Sequence, residues 1–153
     1  MADIISLLNV EEGYSETPYY CSAGYPTIGI GQRIGPKGAP LNLYEFTVSK
    51  SLAAVWLAEK VKETLADMDK YTAIREAMAA CNEPRQAILI SMAYQMGADG
   101  LSKFTNTLKS VATQNWHAAQ AGMLASKWAK QTPHRANRHA IQMLNGSWYP
   151  DYK

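Results

Sequence analysis

Apolar residues recur at helical spacing from the start of the chain. Ile4, Ile5, Leu7, Leu8 and Val10 predict a short amphipathic helix over residues 3–12, with Gly13 as its stop. The period then changes. Residues 14–34 are rich in Tyr, Thr, Ile and Gly, with a turn signal at Ser22-Ala23-Gly24, and predict strands and hairpins. Along this stretch Tyr25, Thr27, Gly29 and Gly31 alternate with Pro26, Ile28, Ile30 and Gln32. Ile28 and Ile30 are expected to pack inward. Thr27 is then expected to face outward, beside two glycines that let a ligand approach the backbone.

Residues 35–46 form a loop by composition. A long helix is predicted from about Ser49 to Asp69, with Leu52, Val55, Trp56, Leu65 and Met68 as its apolar residues. A further helix is predicted to begin at Asn82-Glu83-Pro84, with Asn82 as cap and Pro84 in the first turn, and to stop at Gly97. Shorter helices fit residues 105–113, 116–125 and 133–144. Thr132 is the expected N-cap of the last, and Gly146 lies beyond its end. The order is a small β-containing lobe, a connecting helix, then a helical lobe.

The totals narrow the options. A chain of 153 residues, 47% apolar and 18% charged, has the mix of a globular domain. No apolar run approaches the roughly 20 residues that span a bilayer. No basic stretch precedes the first apolar residues, so a cytosolic site of synthesis is expected. Cys21 and Cys81 are too few for a disulfide framework, and His117, His134 and His139 lack metal-ligand spacing. Neither a metal nor a cofactor is expected. Residues 1–76 carry seven Lys/Arg and ten Asp/Glu, a net of −3; residues 77–153 carry eight and three, a net of +5. A basic half suits a polyanionic partner, but its charges are dispersed rather than clustered as in a nucleic-acid binder.

Glu12 carries the first candidate chemistry. It extends the apolar face of the first helix, in line with Ile5 and Leu8. Burial and the negative end of the helix dipole are both expected to keep its carboxyl protonated. A protonated carboxyl is what a glycosidase uses to protonate a leaving oxygen. Glu11 competes for that role, or pairs with a basic residue of the final helix. Glu16 is read as solvated. Cys21 lies beyond eight intervening residues and Thr27 beyond five more. A thiol is more often a small buried hydrophobe, and threonine a good strand residue. Glycosidases ordinarily use a second carboxylate, so Cys21 stands out.

Longer stretches carry a resemblance. Glu12-Gly13, Gly24-Tyr25-Pro26-Thr27-Ile28-Gly29-Ile30-Gly31, Tyr94-Gln95-Met96-Gly97, Phe104-Thr105-Asn106-Thr107-Leu108, Trp128 through Ala136 and Gly146-Ser147-Trp148 resemble the T-even phage lysozyme type, glycoside hydrolase family 24. Residues 35–80 diverge. The resemblance implies an α+β, mainly α, lysozyme-like two-lobe fold in a single domain, residues 1–153. Its β-containing lobe would span 13–48 and its connecting helix 49–70, with a helical lobe of 71–153 plus 1–12.

The resemblance also implies roles. Glu12 would be the general acid, and Thr27 would help to hold the attacking water. Cys21 falls where the T-even type has its catalytic aspartate, and the family includes a Glu…Cys…Thr variant. Arg135 falls where a final-helix arginine contacts the catalytic glutamate, and Arg138 is placed to pair with Glu11. Arg33, Tyr94, Gln95 and Thr107 match positions that touch or border the sugar chain. Gln32 stands where the T-even type has a histidine, and Gly122 where it has a polar sugar contact. The four tryptophans are expected to pack in cores rather than to serve as sugar platforms.

The implied activity is a muramidase cutting the β-1,4 bond between N-acetylmuramic acid and N-acetylglucosamine, by single displacement. Its partner is the peptidoglycan glycan strand, with no nucleic acid and no membrane insertion. Two rivals are a lytic transglycosylase, which needs no second carboxylate, and a wall-binding module without chemistry. The biological reading is a monomeric phage endolysin. It would accumulate in the host cytoplasm and act at the periplasmic wall after a separate protein permeabilises the membrane.

Overall fold

A computed structural model describes residues 1–153. It has the expected α+β, mainly α composition, with eight α-helices and one three-stranded antiparallel sheet. Two compact units are distinguished, Leu8–Lys60 and Met1–Leu7 with Val61–Lys153. Their boundaries fall inside α1 (Ile4–Glu12) and α2 (Lys50–Met68). No helix is long and apolar enough to cross a membrane.

Asp3 caps α1, its carboxylate accepting from the Ser6 amide at 2.7 Å and the Ser6 hydroxyl at 2.9 Å. The helix ends at Gly13, whose amide bonds Asn9 O. In the 8–60 unit the chain then forms β1 (Ser15–Tyr20), β2 (Pro26–Gly29) and β3 (Gln32–Arg33), in that order across the sheet. Ser15 pairs with Gly29 and Tyr19 with Thr27, and an irregularity between them shifts the register. Thr27 in turn pairs with Arg33.

Ile28 and Ile30 are buried, as the alternation requires. Thr27 corrects the expectation that it faces outward, for it is only 3% exposed. Directly paired antiparallel residues share a face. Tyr19 and Arg33 therefore stand on either side of Thr27, and their larger side chains flank it.

The long helix corrects a second expectation. Its buried stripe is Ala53, Leu57, Val61, Thr64 and Met68, whereas Leu52, Val55 and Leu65 are exposed. The spacing i, i+4, i+8, i+11, i+15 holds one face of a helix. Two of its five positions are Ala and Thr, so residue size pointed to the wrong face.

The larger unit holds α3 (Thr72–Ala79), α4 (Glu83–Ser102), α5 (Thr105–Ala112), α6 (Trp116–Leu124), α7 (Lys127–Gln131) and α8 (Pro133–Asn145). Asn82 caps α4 as expected, accepting from the Arg85 amide at 3.3 Å. The helix breaks at Gly97 (φ +82°) and resumes through Ser102. Only glycine adopts that φ cheaply, which is why the predicted stop is a kink. Thr132 begins α8 but does not cap it by side chain; its hydroxyl donates to Trp128 O at 3.0 Å. Gly146 closes α8 in the left-handed region. Ile88, Leu89, Met92, Leu101, Leu108, Met123 and Met143 fill the interior at 1% exposure or less.

The α2 stripe gives a direct test. Leu57→Ala should cost about 2–5 kcal/mol of unfolding free energy, as for core leucines generally. Val55→Ala on the exposed side should stay within about 0.5 kcal/mol. Urea unfolding of the two variants measures both, and equal losses would contradict the assigned face.

Candidate active site

Glu12 is the last residue of α1, half-buried, and its carboxylate lies against the β2–β3 turn. A methyl group built on Gly31 would fall 2.6 Å from Glu12 Oε2, and Gly31 has φ +67°. Only glycine meets both conditions, the backbone torsion and the close approach. The turn thus determines where the carboxyl sits. Glu11, its half-buried neighbour, lies on the same last turn of the helix.

Cys21 follows β1 directly, and its amide donates to Tyr25 O at 3.0 Å. Burial pushes the thiol up. Against it act the backbone N–H groups of Tyr25 and Ala23, the Thr27 hydroxyl and the Arg33 charge. The net position is below the ordinary thiol value. The hairpin thus surrounds the sulfur with groups that favour its anion. Cys81 shows the contrary case: half-buried in the other unit, it is pushed by desolvation up to about 11 even though Arg85 acts to lower it.

The Thr27 hydroxyl donates to Tyr25 O at 2.8 Å and is also within reach of the Cys21 sulfur. It has one proton, so it serves one of these acceptors at a time. In either case that proton is committed inside the protein. Toward a ligand in the site Thr27 offers lone pairs only. Arg33 lies across from Thr27, its guanidinium 3.5 Å from the Tyr25 ring centroid in a cation–π stack.

Sequence reasoning missed Tyr19. Burial raises its phenol pKa, and the charges of Glu12 and then Cys21 raise it further, so the ring lies near both. Tyr19 and Cys21 are two residues apart, and Tyr19 pairs with Thr27. The first relation was legible. The second depends on the irregularity in β1, which no spacing rule reports.

The other candidates lie in the larger unit. Gln95 on α4 accepts from Trp128 Nε1 at 2.8 Å, which leaves its amide nitrogen as the donor end. Tyr94 beside it is half-buried. Thr107, expected at the sugar chain, is buried at 7% exposure and packed on Gly122. Gly122 has no room for a side chain because Thr107 Oγ1 occupies that space. Arg138 is half-buried on α8, and Arg135 is buried there. Of the tryptophans, Trp128 is buried, with Phe104 edge-on at 6.4 Å, while Trp116 lies under Arg85 at 3.7 Å.

Arg135 is held by a buried chain of hydrogen bonds. Its guanidinium donates to Ser91 Oγ at 2.8 Å and to Ser91 O at 3.3 Å. Ser91 Oγ lies 2.7 Å from His139 Nε2, and His139 Nδ1 lies 3.1 Å from the Tyr152 hydroxyl. A neutral imidazole donates from one ring nitrogen and accepts at the other, so it can link Ser91 and Tyr152. Burial first, then the charges of Arg135 and Arg138, drive the His139 pKa well below the ordinary value. The imidazole is therefore neutral.

The phage lysozyme family matches residues 9–143 of the chain. The chain is 26% identical over 157 residues to the pre-baseplate central spike protein Gp5 of Enterobacteria phage T4, covering 92% of this chain and 27% of that protein. It is 32% identical over 132 residues to the peptidoglycan hydrolase gp36 of Pseudomonas phage phiKMV, covering 86% of this chain and 14% of that one. It thus spans only a minor part of either phage protein. A Dictyostelium discoideum protein named "Probable T4-type lysozyme 2" is 26% identical over 170 residues, covering 100% of this chain and 99% of its own length.

Two measurements follow from these environments. Iodoacetamide should label Cys21 well before Cys81 near neutral pH, because the thiolate is the reacting species. Arg33→Ala should move the Cys21 labelling profile to higher pH, read by peptide mass spectrometry; an unmoved profile would exclude the guanidinium as a contributor. His139 binds its proton more weakly folded than unfolded. Its contribution is therefore complete above the unfolded value of about 6.5 and is lost as pH falls below it. Unfolding free energy should drop between pH 7 and 5 by up to ~1.4 kcal/mol per unit from this residue. His139→Gln should flatten that slope.

Proposed function

The chain belongs to the phage lysozyme family, and we propose that it is a muramidase of the Glu…Cys…Thr type within glycoside hydrolase family 24. Its substrate is bacterial peptidoglycan, cut at the β-1,4 bond between N-acetylmuramic acid and N-acetylglucosamine. The observation that carries this reading is the cradle that favours a thiolate at Cys21, on the sheet face that holds Thr27. A binding module without chemistry has no use for a stabilised anion there. The name of the phiKMV relative, a peptidoglycan hydrolase, supports the substrate class.

In the proposed reaction Glu12 protonates the glycosidic oxygen as the bond to the anomeric carbon breaks. Water attacks that carbon from the opposite face, donating hydrogen bonds to Thr27 Oγ1 and Cys21 Sγ. The thiolate stabilises the positive charge of the oxocarbenium-like transition state and takes a proton from the water. Glu12 ends as the carboxylate.

This chemistry needs one proton on Glu12 and none on Cys21. An ordinary thiol holds its proton to about 4 pH units above an ordinary carboxylic acid, so an isolated pair would carry the proton on sulfur. Charge is the same in both forms; only the second is idle. The amides, the Thr27 hydroxyl and Arg33 all shift the balance toward the productive form. Arg33, Tyr94 and Gln95 are proposed sugar contacts, with Arg135, Arg138 and Glu11 as support. Thr107 is the fourth proposed contact, from its buried place on α5. As an endolysin the protein would work from the host cytoplasm, reaching the wall after a separate protein opens the membrane.

Purified Gram-negative peptidoglycan should release fragments ending in hydrated, reducing N-acetylmuramic acid, identified by mass spectrometry. Fragments ending in 1,6-anhydromuramic acid would make the protein a lytic transglycosylase instead. Glu12→Gln should abolish release. Cys21→Ser should lose about 10²-fold or more, while Cys21→Asp keeps much of the rate. A Cys21→Ser enzyme at full speed would remove the thiol from the mechanism.

A further inference from the structure

The proposed water site lacks one element. Thr27 has committed its proton inside the protein, and the Cys21 thiolate has none to give. Both groups accept from the water. A water held by two acceptors can still rotate about them, which leaves the direction of its lone pairs loose. A single donor to the water oxygen would remove that freedom. One lone pair would then be occupied and the other left to point at the anomeric carbon.

Tyr19 is placed to be that donor. It stands directly opposite Thr27 across the β1–β2 ladder and two residues before Cys21. Its half-buried ring is close enough to Glu12 and Cys21 for both charges to act on it. Two neighbouring tyrosines of the same unit have their hydroxyls tied to carbonyls. Tyr14 donates to Val48 O at 2.6 Å and Tyr20 to Ala39 O at 2.7 Å. Burial and charge act on Tyr19, and no hydrogen bond is among these influences. Its proton is held more firmly than that of an ordinary phenol, so the hydroxyl is a donor near neutral pH.

We propose that Tyr19 is a positioning residue of the reaction, its hydroxyl donating a hydrogen bond to the attacking water that Thr27 and Cys21 accept from. The inference rests on the hydrolytic reading given above. No bond to Tyr19 forms or breaks: the water oxygen adds to the anomeric carbon, the glycosidic bond breaks toward the leaving oxygen, Glu12 supplies that oxygen's proton, and the water's proton passes to sulfur.

The test compares the wild type with Tyr19→Phe, which keeps the ring and removes the oxygen. Substrate is soluble peptidoglycan fragments in buffer with added methanol. The wild type should yield hydrated reducing ends with little methyl glycoside. Tyr19→Phe should lower kcat by roughly 10- to 100-fold with KM nearly unchanged, the scale expected when a reacting group is misplaced. Its share of methyl glycoside should rise, because methanol no longer competes with a well-held water. That share is a ratio of products and does not depend on how much of the variant is folded. An unchanged kcat, or an unchanged methyl glycoside share, overturns the role of Tyr19. Failure of the wild type itself to give hydrated ends overturns the hydrolytic reading instead, so the two failures are separable.

Discussion

The stabilisation of a negative sulfur at Cys21 is the constraint on which the proposed chemistry turns. Burial alone would keep the thiol neutral, and Cys81 shows how far that effect goes in this same chain. At Cys21 two amide N–H groups, one hydroxyl and one guanidinium oppose burial and prevail. Three of those four come from the hairpin itself, within six residues of the sulfur. A tight turn aims its own N–H groups inward, so the cradle needs no distant partner to form. A carboxylate can ionise at neutral pH without such help. A thiol cannot do so fully, and the local backbone supplies the difference.

The same hairpin organises the rest of its unit. Gly31 lets the Glu12 carboxyl rest against the backbone, and the pairings of Thr27 with Tyr19 and Arg33 put three side chains of the proposed site in one row. Each strand contributes one member. A row of this kind is rigid because ladder hydrogen bonds hold it, and rigidity is what a water site requires. Thr27, flanked by its two larger neighbours, becomes the floor of the row rather than a projecting group.

The larger unit solves a different problem, that of keeping a buried cation in place. Arg135 would be costly to bury without acceptors. Ser91 supplies two of them, and its hydroxyl is in turn hydrogen-bonded to His139. A protonated imidazole would add a second buried charge beside the arginine, so neutrality of His139 and placement of Arg135 go together. Trp128 joins the same core through contacts with His139 and a hydrogen bond to Gln95. Polar groups of this unit are in this way tied to aromatic packing.

Much of this was legible in the residues. The first helix and its stop, the hairpins, the Asn82 cap, the Gly146 terminus and the spacing from Glu12 to Cys21 to Thr27 are local patterns, and local patterns follow from backbone sterics and side-chain reach over a few positions. Helices α3 and α7 were not predicted; α7, at five residues, is too short for periodicity to register. The buried face of α2 was misread because neighbours, not residue size, decide which stripe is covered. Thr107 was matched to a position touching the sugar chain; it is buried, its hydroxyl in the space that the missing side chain of Gly122 leaves. By itself the sequence determined which elements form and which residue types are available for chemistry. Tertiary structure alone decided that Tyr19 faces Thr27, that a thiol lies among donors and that His139 is neutral. Those properties depend on register, desolvation and the charges of residues distant along the chain, and none of these is a function of spacing.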